Sequence, residues 1–177
     1  MSDQIICNTD LLQSTKFILT FPRITATQFF CQAVNIPAVH TNNTEQNTPF
    51  SDLAIPGDKF QYEPLIVEFL LDEELLSWRV VHDWMRGIAF PTDFQEYRNL
   101  KHLSKYSEQV PFPQYADAEI TTLSASNNPK VKFKFKDCFP INLSGINMDI
   151  RVGADHTMVA TATFRYKRYD IEPIKDF

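Results

Sequence analysis

The segment PGDKFQYEPLIVEFLLDEELLSWRVVHDWMRGI, residues 56–88, carries the strongest secondary-structure signals in the chain. It opens on a Pro-Gly pair, which predicts a turn. The β-branched, leucine-rich and aromatic residues over 60–71 then predict the central strand, and Pro64 places its early half at an edge or a bulge. A helix over about 73–86 follows directly, so the pattern joins a strand to a helix with almost no loop.

The predicted helix has a start signal, an apolar face and a stop signal. Asp72 is a suitable N-cap, and the two glutamates after it favour the positive end of the helix dipole. Residues at helical spacing form the stripe that we expect to be buried: Leu76, Val80 and Trp84, widened by Val81 and Ile88. Trp78 is expected at the margin of this face or on a second face, and Gly87 is a plausible end of the helix.

Composition limits the class of protein. With 177 residues, the chain is expected to be one domain that buries a sizeable core. Its net charge of −5 and pI near 5.3 disfavour a simple nucleic-acid binder or attachment to an anionic membrane. Four glycines are few for a phosphate-binding fold. Within the single domain, we expect a flexible segment over 1–14, an insertion over 89–116 and a tail over 170–177.

The remaining segments predict mostly strands. KFILTFP (16–22) and QFFCQAVNIP (28–37) predict a hairpin, and the polar segment 40–58 predicts a long exposed arm loop. Further strands are expected over 117–125, 130–139 and 158–169, with a possible fourth over 142–150. The fold class is therefore α+β: two small antiparallel sheets packed as a sandwich or partial barrel, with one main helix on the flank.

No pattern predicts a catalytic, cofactor-binding or metal-binding residue. The histidines His40, His82, His102 and His156 share no metal-ligand spacing, and His82 beside Asp83 suggests a surface pair. The acids at 72–74 are explained by the helix start. The cysteines Cys7, Cys31 and Cys138 are an odd, widely spaced set, which is typical of reduced thiols in a cytoplasm. The N-terminal residues do not resemble a signal peptide, and no cofactor is expected.

A lysine alternation in KVKFKFKD, residues 130–137, admits two interpretations. A strand would place Lys130, Lys132, Lys134 and Lys136 on one face and the apolar residues on the other. That face could track the backbone of single-stranded nucleic acid. It could instead be solvated, or paired with acids on a neighbouring strand or subunit. The acidic net charge favours the second interpretation, as does the placement of the aromatics on the opposite face.

Several segments in order resemble the tail tube proteins of contractile-tailed bacteriophages. The PGD turn with LIVEFLLDEE and VHDWM, within 56–85, resembles that family's turn, strand, acidic helix start and tryptophan-bearing helix. KFKDCFPINLSGINMDI (134–150) and TMVATATFRYKRYD (157–170) are similar to its later strands, and FFCQAVNIP (29–37) also fits. Baseplate proteins that initiate the tube share the same fold.

The resemblance implies a structural virion protein and no enzyme. Six copies would form a ring around a channel, rings would stack into a tube inside a sheath, and DNA would pass through without specific binding. The expected partners are copies of the same chain, sheath proteins and baseplate proteins, with no membrane, and assembly would occur in the host cytoplasm. A main tube protein and a baseplate tube-initiator both remain open, because segment 89–116 is longer than the tube pattern. The alternative from another class is a soluble β-barrel module that binds nucleic acid or a peptide.

Overall fold

The computed structural model describes residues 11–21, 31–89, 91–96, 98, 114–149, 151 and 157–174. Within these residues the strands are β1 (Phe17–Thr20), β2 (Cys31–Val34), β3 (Val39–Asn47), β4 (Asp52–Tyr62), β5 (Leu65–Leu70), β6 (Ala116–Leu123), β7 (Pro129–Leu143), β8 (Val159–Arg165) and β9 (Arg168–Pro173). The helix α1 (Leu76–Ala89) follows β5, and residues 94–96 and 98 are also helical. The α+β class is confirmed.

Two antiparallel sheets share the long strand β7. Its first part pairs with β6 and β9, and β1 joins the other edge of β6, which makes the first sheet β1-β6-β7-β9. Its last residues, from Phe139 onward, pair with β8, and β5 and β2 complete the second sheet. Asp137 has a left-handed backbone (φ 55°) at the point where β7 leaves β9 and meets β8. Asp117 accepts its N–H at 3.2 Å, which stabilises the bend.

The core lies between the two sheets and under α1. Alternation along the strands points one face of each inward, as period-two geometry requires. Fully buried members include Leu19, Ile120 and Phe135 from the first sheet and Val67, Phe69 and Phe164 from the second. Trp84 of α1 lies against Phe164, with ring centroids 6.1 Å apart. The helix therefore closes one flank of the sandwich.

Helix α1 begins three residues later than the predicted 73–86 and runs past its predicted end. Leu75 takes a left-handed conformation (φ 52°), and the Asp72 carboxylate accepts the N–H of Leu76 at 3.1 Å. Asp72 therefore caps the helix from one turn away. Gly87 was predicted as the stop, but it is buried inside the helix, where its small size fits the packed face.

The buried stripe of α1 is rotated relative to the prediction. Its buried members are Ser77, Val81, Trp84 and Gly87. Leu76 is exposed because the helix starts there, and Val80 is only half-buried. Trp78 lies at the margin as predicted, with its indole N–H donating to the Ser144 carbonyl at 3.1 Å.

The predicted hairpin of 16–22 with 28–37 is wrong among the described residues. β1 pairs with β6 and β2 with β5, so the two strands lie in different sheets. The predicted strand over 158–169 is split, because the chain turns after Arg165 and starts β9 at Arg168. The predicted strand over 142–150 is also wrong: β7 ends at Leu143, and residues 144–149 are not strand.

The predicted arm over 40–58 is part of an antiparallel hairpin rather than a loop. β3 and β4 pair with each other over almost their whole length, and among the described strands they pair with no other. The Pro-Gly pair predicted as a turn lies inside β4, at an irregularity in the hairpin register. Pro64 separates β4 from β5. The segment 1–10 and most of the predicted insertion, residues 90, 97 and 99–113, lie outside the described residues.

Candidate assembly surfaces

The lysine face of β7 is paired with acids on its neighbouring strands. Lys132 lies 3.1 Å from Glu119 of β6, and Lys136 lies 2.6 Å from Asp117 of the same strand. Lys134 lies 2.7 Å from Glu172 of β9. This arrangement follows from the register, which places an acid diagonal to or opposite each of these lysines. We call these three pairs the lysine ladder.

Hydrogen bonds within the lysine ladder favour the charged forms of Lys134, Lys136 and Glu172. The hydrogen bond to Glu172 raises the pKa of Lys134, and that same bond lowers the pKa of the Glu172 carboxyl. The hydrogen bond to Asp117 raises the pKa of Lys136. Three of the four predicted lysines are therefore neutralised locally. The paired interpretation of this face is confirmed, and the open basic groove is not what the structure presents.

The residues considered for chemistry do not come together. His40 lies 3.1 Å from Glu63, and His82 lies 3.4 Å from Asp83, both on the surface. His102 and His156 lie outside the described residues. Burial raises the pKa of Cys31 to about 11 and that of Cys138 to about 12, which keeps both as unreactive thiols. Among the described residues, no group of His, Cys, Asp and Glu could hold a metal ion.

The hairpin of β3 and β4, hereafter the arm, presents apolar side chains to solvent. Phe50 in the connecting turn is 98% exposed, and Leu53 is 54% exposed. Leu53 and Ile55 lie two residues apart on β4 and therefore share one face. The sequence prediction missed this surface because it treated the segment as a polar loop, although the alternation DLAIP at 52–56 was an available signal.

The two strands of the arm approach closely in its middle. A Cβ added to Gly57 would lie 2.4 Å from the carbonyl oxygen of Asn42, so no side chain fits there. The register shifts at this place, between Thr41 and Asn43 on β3. The close approach divides the arm into two parts. In the root, next to the sandwich, residues 39–41 pair with 60–62, and in the tip residues 43–47 pair with 52–56.

Three edge strands of the sheets have one side without a strand partner in the described structure. They are β1 and β9 in the first sheet and β2 in the second. Unpaired edges of this kind can join strands of another chain. No helix among the described residues is long and apolar enough to cross a membrane.

Comparison with known proteins identifies the family. The model of the phage tail tube protein family matches residues 13–172. The chain belongs to the phage tail tube protein family. It is therefore a structural component of a phage tail, and its relatives are structural proteins rather than enzymes.

One curated relative is similar to this chain in sequence, and two solved structures are similar to it in fold. The tail tube terminator protein of Enterobacteria phage T4 is 29% identical over 169 residues, which cover 90% of this chain and 88% of that protein. The sheath-tube complex of the PVC extracellular contractile injection system contains a chain with the same fold, at TM-score 0.59 and 12% identity over 98% of this chain and 99% of that one. The tube-terminating cap of the anti-feeding prophage has another, at TM-score 0.56 and 13% identity over 93% and 92%.

Proposed function

We propose that this tail tube protein forms a six-membered ring at the end of the tail tube of a contractile-tailed phage, with DNA passing through its centre. The observation that carries this proposal is the arm, whose apolar tip is left in solvent by every described part of the chain. A single soluble domain gains nothing from exposing Phe50, Leu53 and Ile55 on a projecting hairpin. A neighbouring copy in a ring, or the next ring of a tube, would cover them.

The sheet edges support closure into a ring. Pairing of edge strands between copies would satisfy the backbone groups along β1, β9 or β2 that have no strand partner among the described residues. The lysine ladder is compatible with the isolated chain and with a ring, because its lysines are already paired with acids of the same chain. Its pairs stay satisfied in the isolated chain and in an assembly.

The channel of such a ring would not hold DNA. Six copies with a net charge of −5 each carry about −30. DNA gains no counterion release from an acidic wall, so like charge keeps it from adhering during passage. Specific binding of DNA is therefore not part of the proposed function.

The position in the tail is proposed from sequence similarity. A main tube protein, a baseplate tube-initiator and a tube terminator share the fold, and the TM-scores of 0.59 and 0.56 to a tube complex and a terminating cap are nearly equal. The 29% identity to a tail tube terminator along 90% of the chain favours the terminal ring. The partners would then be the last ring of the tube and the surrounding sheath, joined during assembly in the host cytoplasm.

Electron microscopy and light scattering test this function. The concentrated protein alone should form separate six-fold rings, and addition of these rings to growing tubes of the matching tube protein should stop elongation. Long tubes formed by the protein alone would instead identify it as the main tube protein. A monodisperse monomer at every concentration would refute the ring and favour a soluble binding module.

The role of the arm has its own test. Replacing residues 45–54 with Asn-Gly would close the hairpin on the Thr44–Ile55 pair and remove the tip. A finer variant is Leu53→Ser with Ile55→Ser, and its matched control is Ala54→Ser on the opposite face of β4. We expect both tip variants to stay folded and to lose ring formation, whereas the control assembles normally. Normal rings from the shortened arm would exclude it as an assembly element.

A further inference from the structure

The direction of the arm must be set at its root. β3 and β4 pair only with each other among the described strands, so no sheet partner orients them. The chain enters the arm through residues 35–38 and leaves it through 63–64. A hairpin attached only by two such connections would swing, and the ordering of its tip against a partner would then cost conformational entropy.

Two tyrosine hydroxyls hold these two connections. The hydroxyl of Tyr166 donates to the carbonyl of Glu63 at 2.8 Å, on the outgoing connection. The hydroxyl of Tyr169 donates to the carbonyl of Pro37 at 3.4 Å, on the incoming one. Both tyrosines lie where the chain passes from β8 into β9, more than 100 residues away from the arm along the sequence.

The rings of these tyrosines rest on the core and on the arm at once. Phe135, which is fully buried, lies with its ring centroid 5.0 Å from Tyr166 and 5.3 Å from Tyr169. Tyr62, the last residue of β4, lies 5.7 Å and 5.6 Å from the same two rings. Arg165 adds a third bond, from its guanidinium to the Tyr62 carbonyl at 3.3 Å. The root is therefore attached to the buried core of the sandwich.

We propose that Tyr166 and Tyr169 are positioning residues that hold the arm at the angle from which it engages a second copy of this chain. This role rests on the proposed function of the arm in ring assembly. The tyrosines act through the root and do not themselves touch the partner. Two tyrosines that only filled the core would not need hydroxyls bonded to the two connections of the arm. Here both hydroxyls make such bonds.

Burial supports the assignment of donors. Desolvation raises the pKa of the Tyr166 hydroxyl well above its usual range. It therefore keeps its proton, and remains a hydrogen-bond donor, at neutral pH. The shorter bond of Tyr166 predicts that it contributes more than Tyr169 does.

The test compares Tyr166→Phe, Tyr169→Phe and a control. Each phenylalanine keeps the ring and removes only the hydroxyl. The matched control is Thr122→Val, which removes a buried hydroxyl that donates to the Val131 carbonyl at 3.2 Å, between β6 and β7 and away from the arm. The reporter is hydrogen exchange of the Glu63 amide. This amide joins the two connections by donating to the Ala38 carbonyl at 3.1 Å.

One hydrogen bond of ordinary net strength corresponds to about a fivefold change in an equilibrium constant. We expect Tyr166→Phe to speed exchange of the Glu63 amide by about that factor, and Tyr169→Phe by less. Exchange in β5 and β8 should stay unchanged. The protein concentration needed for ring formation should rise by a similar factor in Tyr166→Phe, whereas Thr122→Val should change neither readout.

Three results would overturn the proposal. The first is unchanged Glu63 exchange in Tyr166→Phe. The second is an equal increase in the Thr122→Val control, which would indicate general loosening. The third is faster exchange with normal ring formation, which would show that assembly does not depend on the arm angle. A wild-type protein that never forms rings would refute the proposed function itself, and the exchange data would then still decide whether the tyrosines hold the root.

Discussion

Truncation of Trp84 tests the assigned orientation of α1. Its side chain is 2% exposed, lies against Phe164 and donates its indole N–H to the Gln114 carbonyl at 3.0 Å. Trp84→Ala would remove the largest buried side chain among the described residues and leave a cavity between the helix and the sandwich. Trp78→Ala is the matched comparison, because Trp78 is on the same helix but only half-buried.

The expected loss of stability is large for one tryptophan and smaller for the other. Truncation of a buried Trp costs about 3–5 kcal/mol. For a domain of this length, that corresponds to a decrease in melting temperature of about 6–20 °C. A half-buried Trp removes about half that apolar area, so we expect about 1–3 kcal/mol for Trp78→Ala. Since domains are stable by about 5–15 kcal/mol, Trp84→Ala brings the fold near its limit.

Thermal unfolding followed by circular dichroism would measure both variants. The protein must be dilute enough to remain unassembled, because ring formation would stabilise the folded state by mass action. Light scattering on the same samples checks that condition. A Trp84→Ala variant that melts like the wild type, or a Trp78→Ala variant that loses as much, would show that the buried face of α1 is wrongly assigned.

Three further predictions concern the arm and the lysine ladder. Gly57→Ala should disturb ring formation with little change in melting temperature, since its Cβ would meet a backbone carbonyl at 2.4 Å, whereas Gly145→Ala, with nothing within 4 Å, should be neutral in both measurements. The lowered pKa of Glu172 means that its pair with Lys134 stabilises the fold above the unfolded-state pKa of that carboxyl and is lost as pH falls through the folded-state value. The melting temperature should therefore decrease slightly more between about pH 6 and about pH 3 in the wild type than in Lys134→Gln, and an equal decrease would show that the pair is not formed in solution. The wild type should not bind single-stranded DNA at physiological salt; binding whose salt slope decreases by about 0.7 for each of Lys132→Gln and Lys134→Gln would restore the nucleic-acid interpretation.

Local patterns in the sequence determined much of this protein. The alternation over 130–137 determined a strand with lysines on one face, because side chains along a strand alternate whatever its partner is. The acids at 72–74 and the helical spacing after them determined a helix next to the central strand, although its start was placed too early because Leu75 takes a left-handed conformation. The ordered set of segments also identified the tail tube family.

Only the tertiary structure decided which strands pair and where the arm is held. Strand pairing depends on contacts between distant residues, so the partner of β1 is β6, and the nearby β2 joins the other sheet. The bend at Asp137 lets β7 pair with strands of both sheets, and no local sequence pattern predicts this bend. The bond from Tyr166 to the root of the arm joins residues 103 apart in the chain. Periodicity determines which face of an element is apolar. Only the packed chain determines which residues that face contacts and which acceptors its side-chain hydroxyls find.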